Sequence, residues 1–170
     1  FQFDQVNQSY RMNFNHPAKE LIWALQSSIN TIEGTAYNHW FNLSAQTPLD
    51  PSMLNATDLM AKAKIMLNGH DRFAERPQTY FRLVQPYQHH TRIPGKHIYV
   101  YSFGIRPEAH QPSGTVNMSR IDNAQLKYEL TNPSQLPSVL SGTTGNLHVY
   151  APNYNVLRIM SGMGGLAYSN

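Results

Sequence analysis

The sequence has no cysteine among its 170 residues. It therefore forms neither a disulfide framework nor a zinc–thiolate site, and the absence fits assembly in a reducing compartment. No apolar run approaches the roughly 20 residues that a membrane-spanning helix needs, and no secretory signal peptide is visible. Because the chain begins with Phe1 rather than Met, we expect it to be a piece of a longer protein.

Charged residues are also scarce. They make up only 14% of the chain, whereas ordinary soluble domains carry about 25%. The net charge is only +3, and lysine and arginine occur singly. The basic runs typical of nucleic-acid-binding proteins are absent, which argues against a nucleic-acid-binding surface. Asparagine, glutamine and ten tyrosines supply much of the polarity instead. Two interpretations stay open: partners cover much of the surface, or the surface is neutral and well solvated.

The length suits a single domain spanning 1–170. Short extended runs separated by turn-forming residues make up most of it. Strands are predicted at 9–15, 20–26, 61–67, 80–84, 97–103, 125–130, 146–151 and 155–160. Many short strands at this spacing predict an all-β sandwich or jelly roll, with helix confined to insertions.

The segments between the predicted strands contain little helix. One helical turn is predicted at 71–76, where a proline ends it, and one short helix near 50–59. Residues 28–58 and 131–145 are rich in turn-forming polar residues, so we expect two long loops there. Residues 85–95 are predicted to form a compact loop.

Three histidines are candidate metal ligands. His89 and His90 are adjacent, and His97 follows. Metal ligands converge on one point, whereas adjacent side chains of an extended segment point in opposite directions. No carboxylate lies near them in the sequence. The pattern favours loop-packing histidines that hydrogen-bond to the backbone, and no metal or other cofactor is expected.

Two glycine-containing motifs were considered for catalysis or cofactor binding. Ser113 lacks the flanking glycines of a nucleophile elbow, so a turn is favoured, in which Pro112 restricts φ and Gly114 takes a positive φ. The glycine-rich run 162–167 loosely matches a dinucleotide-binding loop. That loop must open a helix, and only three residues follow the run, so close backbone packing is favoured.

Other polar positions suggest structure or modification rather than catalysis. Arg120 and Asp122 flank Ile121 and would share one face of a strand, which predicts a structural ion pair with each other or with neighbours. Because asparagine is frequent, the N-glycosylation sequons are a weak signal. They begin at Asn7, Asn42, Asn55 and Asn117.

The stretch from His110 to Ala124, which follows the predicted strand 97–103, resembles the second jelly roll of the major capsid protein of nucleocytoplasmic large DNA viruses, of the iridovirus, phycodnavirus and marseillevirus type. The resemblance extends over most of the chain. Similar blocks occur, in the family's order, at 14–23, at 67–73 with Arg76, and at 80–91, 99–124 and 154–168. The loops 28–58 and 131–145 match no block and are interpreted as variable insertions.

The resemblance implies an eight-stranded jelly roll that forms the C-terminal half of a double jelly roll. It implies a structural protein without catalytic residues, in which Pro112, Gly114, Arg120 and Asp122 belong to a structural signature. It further implies a homotrimeric capsomer of pseudo-hexagonal outline that contacts neighbouring capsomers and minor capsid proteins. Such capsomers form an icosahedral virion shell, assembled in the host cytoplasm over an inner membrane, without direct nucleic-acid binding or membrane insertion.

Two other functions remain open. A jelly-roll carbohydrate-binding module would use exposed aromatic side chains such as Tyr37 or Trp40, and sugar binding by the isolated domain would identify it. A cupin-type enzyme would hold a metal with several histidines, and stoichiometric metal would identify that function.

Overall fold

The computed structural model describes residues 1–31, 39–45, 57–132 and 143–168. Strands account for 44% of the structure, and helix is rare. The strands are β1 (Asn7–Met12), β2 (Pro17–Ala18), β3 (Glu20–Ser27), β4 (Met60–Leu67), β5 (His70–Asp71), β6 (Arg76–Pro77), β7 (Ile98–Ser102), β8 (Val116–Asn117), β9 (Ala124–Leu130), β10 (Gly145–Tyr150), β11 (Leu157–Met160) and β12 (Met163–Leu166).

The helical segments are all short. A π-helical segment, Tyr80–Val84, continues into an α-helix, α1, Gln85–His89, and 3-10 turns occupy Ser28–Thr31 and Met118–Arg120. No helix in the described ranges is long and apolar enough to cross a membrane. The predicted all-β class is confirmed. Helix is not confined to the two predicted insertions, because Tyr80–Val84 and α1 lie outside them.

Two antiparallel sheets contain the long strands. The first sheet has the order β1-β9-β4-β5, with β6 also pairing with β4, and the second has the order β10-β3-β7. In the first sheet Leu126 of β9 lies between Tyr10 and Ile65. In the second, Trp23 of β3 lies between Val149 and Tyr99. Smaller pairs, β2–β8 and β11–β12, lie outside these sheets.

Alternation along the strands decides which side chains form the core. In β9 every second residue, from Ala124 to Leu130, is buried, and the residues between are partly exposed. In β3 the buried side chains Leu21, Trp23 and Leu25 point inward. Each large apolar side chain buried in this way contributes about 1.5–3 kcal/mol to stability. The strands predicted at 20–26, 61–67, 97–103, 125–130 and 146–151 are confirmed to within two residues.

The strand predicted at 80–84 is wrong, because this segment is helical. Phe81 is fully buried and Gln85 nearly so, and residues four apart lie on one face of a helix. Phe81 packs on Trp23 with ring centroids 5.2 Å apart. Aromatic and β-branched residues favour strands, but packing of this face against the core outweighs that preference. The compact loop predicted at 85–95 accordingly begins with α1.

The helical turn predicted at 71–76 is also wrong. Asp71 belongs to β5 and Arg76 to β6, and both strands pair with β4. Glu75 approaches Lys62 across the sheet, with Nζ and Oε2 3.8 Å apart, instead of pairing with Arg72. Cross-strand pairing to β4 therefore replaces the local helical contact.

For the other predicted elements, the observed bounds differ from the predicted ones by a few residues. The strand predicted at 9–15 is β1, which begins at Asn7 and ends at Met12. The glycine-rich tail is not merely a tail, since β12 pairs with β11 through a turn at Ser161 and Gly162. The helix predicted near 50–59 lies outside the described residues except for 57–59, which are not helical.

Candidate interaction surfaces

The outward face of the first sheet is polar and charged, and we call it the charged face. Lys62 Nζ lies 3.2 Å from Glu129 Oε2, and Lys64 Nζ lies 3.0 Å from Asp71 Oδ2. Ser9 lies opposite Lys127 on the same sheet. These side chains remain in contact with solvent, so the ion pairs each contribute little to stability.

The outward face of the second sheet is apolar, and we call it the apolar face. Its strands expose residues that alternate with the core positions: Ile22, Ala24, Ile98, His148 and Tyr150. The segment 39–45 passes beside them and adds Trp40 and Phe41, which are 50% and 83% exposed. Together they line a groove of about 660 Å³.

Hydrogen bonds hold the groove in shape. Gln26 Nε2 donates to the carbonyl oxygen of Trp40 at 2.6 Å, and Gln26 Oε1 lies 3.2 Å from His148 Nε2. Asn30 anchors the same segment, because its Nδ2 donates to the carbonyl of Asn42 at 3.2 Å. These bonds tie the backbone of the segment 39–45, which carries Trp40 and Phe41, to the end of β3 and the turn that follows it.

The hairpin β11–β12 forms a second apolar surface. All eight of its residues are exposed, including Leu157, Ile159, Met163 and Leu166 at 65–75%. Its base is closed by a hydrogen bond from the Ala167 amide to the Val156 carbonyl. A two-stranded hairpin is only marginally stable alone in water. Its composition therefore suits packing against another surface.

A buried polar network centres on Asp58 and was missed by the sequence analysis. Its Oδ2 lies 3.0 Å from Arg82 Nη1, and Tyr99 donates its hydroxyl to Oδ1 at 2.8 Å. His97 Nε2 lies 3.8 Å from Oδ1, and the Thr131 hydroxyl donates to the Asp58 carbonyl at 2.6 Å. Burial, reinforced by the nearby carboxylate, holds the pKa of Tyr99 well above its usual value. The network joins segments far apart in sequence, so sequence spacing carries no sign of it.

The histidines serve different partners rather than one metal. His90 Nε2 lies 2.6 Å from Glu20 Oε2 and His90 Nδ1 3.5 Å from Glu108 Oε1, while His89 Nδ1 lies 3.0 Å from the Ile105 carbonyl. No cluster of three side chains suited to a metal occurs among the described residues. The buried carboxylate of Glu20 was missed because Glu20 and His90 are 70 positions apart.

The turn at Gly114 has the geometry that the sequence indicates. Gly114 has φ +141°, and a Cβ there would lie 2.9 Å from the Phe103 carbonyl oxygen and 3.1 Å from Gly104 Cα. Ser113 Oγ accepts a hydrogen bond from the Arg106 amide at 2.9 Å, so this serine supports the turn. Pro112 is exposed beside it.

Arg120 and Asp122 are not brought together as an ion pair within the described ranges. The segment before Ile121 is a 3-10 turn rather than a strand, so the two side chains do not share a strand face. Arg11 Nη2 instead donates to the backbone carbonyl of Asp122 at 2.9 Å. Asp122 is thus held beside β1 through its backbone carbonyl, and its carboxylate is not involved in this contact.

The sequon asparagines differ in their surroundings. Asn7 is exposed on β1. Asn117 Oδ1 accepts from the Ser119 amide at 3.2 Å, and Asn42 Oδ1 accepts from the Ser44 amide at 3.1 Å. Asn55 lies outside the described residues. Glycosylation at these positions stays a prediction.

A family model described as "Large eukaryotic DNA virus major capsid protein" matches residues 1–165. The chain belongs to this family. It is a family of structural proteins, not of enzymes. The prediction made from the block 99–124 and its neighbours is confirmed.

Individual members of the capsid protein family agree. The chain is 59% identical over 126 residues to the major capsid protein of Phaeocystis pouchetii virus, covering 74% of this chain and 23% of that protein. It is 41% identical over 192 residues to that of Paramecium bursaria Chlorella virus 1, covering 98% and 44%. The chain therefore spans less than half the length of these relatives.

Structural similarity identifies the same fold. A quasi-atomic model of the PBCV-1 virus capsid matches with a TM-score of 0.70 and 37% identity, covering 96% of this chain and 46% of that one. Such neighbours are viral capsid proteins with jelly-roll folds, so the predicted jelly-roll class is confirmed.

Proposed function

We propose that this chain is a structural part of a viral major capsid protein, which builds the virion shell by associating with copies of itself. The observation that carries the proposal is the apolar face, where exposed Trp40 and Phe41 line a groove on the outward side of the second sheet. Large apolar patches of this kind mark interaction sites, and buried aromatic anchors dominate the energy of interfaces. The relatives named as capsid proteins support the same role.

The finer organisation follows the family resemblance. We infer that the chain is the C-terminal jelly roll of a double jelly roll, and that the whole protein forms a homotrimeric, pseudo-hexagonal capsomer. Neighbouring capsomers and minor capsid proteins are the inferred partners, in a shell assembled in the host cytoplasm near an inner membrane. The protein itself neither inserts into that membrane nor binds nucleic acid directly.

The test compares one substitution on each face of the full-length protein. Phe41→Asp places a charge in the groove without touching the core, and Ser9→Asp places the same charge on the charged face beside Lys127. We expect Phe41→Asp to weaken self-association at least about tenfold, because a charge is desolvated at the interface. Ser9→Asp should leave association unchanged. Sedimentation velocity across a concentration series measures both.

A different result would contradict the proposal. If the unsubstituted protein is a stable monomer at micromolar concentration under conditions in which particles form, self-association is not its function. If Phe41→Asp assembles as well as Ser9→Asp, the groove is not the contact surface.

The loops 28–58 and 131–145 are proposed as variable surface insertions, except where their residues are buried, as at Asn30, Asp58 and Thr131. Replacing 134–143 with a Gly-Ser linker should leave folding and oligomer formation intact, because the entropy of loop closure changes slowly with length. Particle assembly or surface reactivity should change instead. If the shortened protein unfolds, this segment belongs to the scaffold.

The groove does not favour the carbohydrate-binding alternative. Sugar recognition needs polar groups that are free to hydrogen-bond, and the polar side chains Gln26 and His148 already face each other. The other lining residues, including Ile22, Ala24 and Ile98, are apolar. Tyr37, the other aromatic candidate, lies outside the described residues.

A further inference from the structure

The two faces of the hairpin β11–β12 differ. Side chains alternate along a strand, and cross-strand partners share a face. One side, which we call the leucine face, carries branched aliphatic side chains: Leu157, Ile159 and Leu166. The other side, which we call the methionine face, carries long unbranched side chains: Arg158, Met160 and Met163. A glycine completes each face, Gly164 opposite Ile159 and Gly165 opposite Arg158.

The methionine face contains an open hollow. Gly165 contributes only backbone to it, and the side chains of Arg158, Met160 and Met163 line it. Its volume is about 270 Å³, whereas a cavity of about 150 Å³ already binds a benzene ring. The leucine face has less free space at its glycine, because Ile159 Cγ1 lies 4.0 Å from the position that a Cβ of Gly164 would take.

The fold of the described chain does not require glycine at position 165. A Cβ at Gly165 would have no described atom within 4 Å, and the φ of this residue lies outside the left-handed region. Glycine weakens the interior of a strand, where it often marks the close approach of a ligand or another backbone. Gly165 therefore keeps the hollow open although the hairpin itself would be stronger with a larger residue.

The lining of the hollow suits an aromatic ring. Methionine sulfur makes favourable contacts with ring edges, and Met160 and Met163 provide two such sulfurs. The guanidinium of Arg158 can lie over a ring face. A glycine in a strand lets a ring approach the backbone, and an aromatic side chain over that glycine stabilises the sheet. The hollow therefore favours an aromatic side chain over a small or charged one.

The apolar face offers such a ring. Phe41 is 83% exposed, more than any other large apolar side chain among the described residues. Its backbone segment is tied to the end of β3 by the bond from Gln26 to the Trp40 carbonyl. An exposed phenyl ring and a hollow lined for a ring are complementary, and both are uncovered in the described part of the chain.

The ring and the hollow of one chain lie at opposite ends of the second sheet. The chain leaves β10 antiparallel to β3 and moves away from Gln26, because Asn146 lies opposite Gln26 and Asn153 lies opposite Ala18. The eight residues from Ala18 to Gln26 extend over roughly 26 Å at ~3.3 Å per residue. The hairpin begins only beyond Asn153. We therefore assign the ring that enters the hollow to another molecule.

We propose that the hairpin β11–β12 of one copy of the protein lies on the apolar face of a second copy, whose Phe41 enters the hollow at Gly165. The inference rests on the proposed self-association through the apolar face and names the surface that this face receives. The chain belongs to a family whose members assemble into capsids, so a further copy is the available partner. Because the two surfaces differ, the contact is heterologous, and its repetition closes into a ring when the rotation allows.

The size of the contact fits an anchor within a larger interface. Aromatic side chains bury about 150–250 Å² each, so covering Trp40, Phe41 and the hairpin side chains they meet would remove on the order of 500 Å². A standard protein interface buries about 1,600 Å² in total. A few aromatic anchors carry most of the binding energy of an interface, so loss of the ring or of the hollow should be measurable.

The test is a double-mutant cycle in the full-length protein, measured by sedimentation velocity across a concentration series. Gly165→Val fills the hollow with a residue that strands favour, so the hairpin itself should not be weakened. We expect this variant to weaken self-association at least about tenfold when Phe41 is present, and less than about twofold in a Phe41→Ala background, where no ring needs the space. Gly164→Val is the matched control, because it adds the same side chain on the leucine face and should leave association unchanged.

Three results would overturn the inference. Gly165→Val could weaken association equally in both backgrounds, which would show that the hollow does not hold Phe41. Gly164→Val could weaken association as much as Gly165→Val, which would show a general loss at the hairpin. Coupling of Phe41 and Gly165 in urea denaturation of the dissociated chain, and not in association, would place the ring of the same chain in the hollow. If Gly165→Val loses its native circular dichroism, Gly165→Ala makes the same comparison with a smaller addition.

The cycle also separates this inference from the proposed function. If Gly165→Val associates normally while Phe41→Asp does not, the hairpin is not the partner surface, and the apolar face remains a contact surface. If neither variant changes association, both the inference and the proposed role of the apolar face are wrong.

Discussion

The two sheets of the sandwich enclose one core but present opposite chemistry to their surroundings. The charged face pairs lysine with glutamate and aspartate at 3.0–3.8 Å, in contact with water. The apolar face shows aliphatic and aromatic side chains around a groove. The second sheet has its charged contact on the inner side instead, where Asp58 binds Arg82 and accepts a hydrogen bond from Tyr99 of β7. The difference fits the proposal that the first sheet faces solvent and the second contacts another protein surface.

The largest effect is expected from Asp58→Asn, which tests whether the buried charge supports the second sheet. The substitution leaves Arg82 without its carboxylate partner, and breaking a buried ion pair costs about 3–5 kcal/mol. Urea denaturation measures the loss. Tyr99→Phe is the control, because it removes one hydrogen bond and should cost only about 1 kcal/mol. Equal effects of the two variants would contradict a charge-based role.

Replacing two glycines that have positive φ, one near each sheet, compares how strongly each turn depends on glycine. Gly114→Ala, beside the end of β7, should cost about 1–3 kcal/mol, since its Cβ would meet the Phe103 carbonyl at 2.9 Å. Gly69→Ala, in the turn between β4 and β5, meets no atom within 4 Å and carries only the backbone strain. Thermal unfolding should therefore show a larger loss for Gly114→Ala. Equal melting temperatures would mean that the close approach at Gly114 relaxes without cost.

Alkaline pH tests the tyrosines that both sheets bury. Burial raises the pKa of Tyr128 far above its usual value, and it also raises that of Tyr99. Above about pH 10 the unfolded chain releases these protons while the folded chain keeps them. The contribution of these tyrosines to stability should therefore be constant below about pH 10 and fall above it, by at most about 1.4 kcal/mol per pH unit for each tyrosine.

Tyr128→Phe isolates one of these contributions. The free energy of unfolding, measured from pH 8 to pH 11.5, should fall less steeply above pH 10 in this variant than in the unsubstituted protein. Tyr150→Phe changes an exposed tyrosine on the apolar face and is the matched control. The same slope for Tyr128→Phe and the unsubstituted protein would show that Tyr128 titrates alike in both states.

The smallest effect is expected on the charged face. Lys64→Ala removes the exposed pair with Asp71 and should cost no more than about 0.5 kcal/mol. Molar salt should abolish even this difference, because it screens exposed charges. A loss above 1 kcal/mol that persists in salt would show that this face is covered in the assembled protein.

The contrast between the faces is visible in the sequence of two strands. The run Gln125 to Leu130 alternates polar and apolar residues, which correctly predicted a strand with one wet face. The run Leu21 to Leu25 is apolar without interruption, and such a run is typical of a strand covered on both sides. The strand was predicted correctly from this run. The same uninterrupted run also indicates that the outward side of β3 is apolar, and this was not predicted.

Other features could not be predicted from local pattern. Tyr80 to Val84 has the composition of a strand, and only contact of Phe81 with Trp23 explains why it is helical. Gln85 was interpreted as a loop residue, although its side chain bonds the Ser102 amide at 3.0 Å and the Tyr80 hydroxyl at 2.9 Å. The contacts of Phe81 with Trp23 and of Gln85 with Ser102 join residues that are distant in the chain, so their energy enters only once the fold is formed.

The central position of β3 sets the order in which the protein can fold during synthesis. Its residues pair with β7, far along the chain, and with β10, where Trp23 meets Val149. Contacts of such long sequence separation form slowly, and a nascent chain cannot make the second set until Tyr150 has left the ribosome. Until then one edge of β3 and its apolar run are exposed to other nascent chains. During this interval the apolar run of β3 is most open to aggregation with other chains.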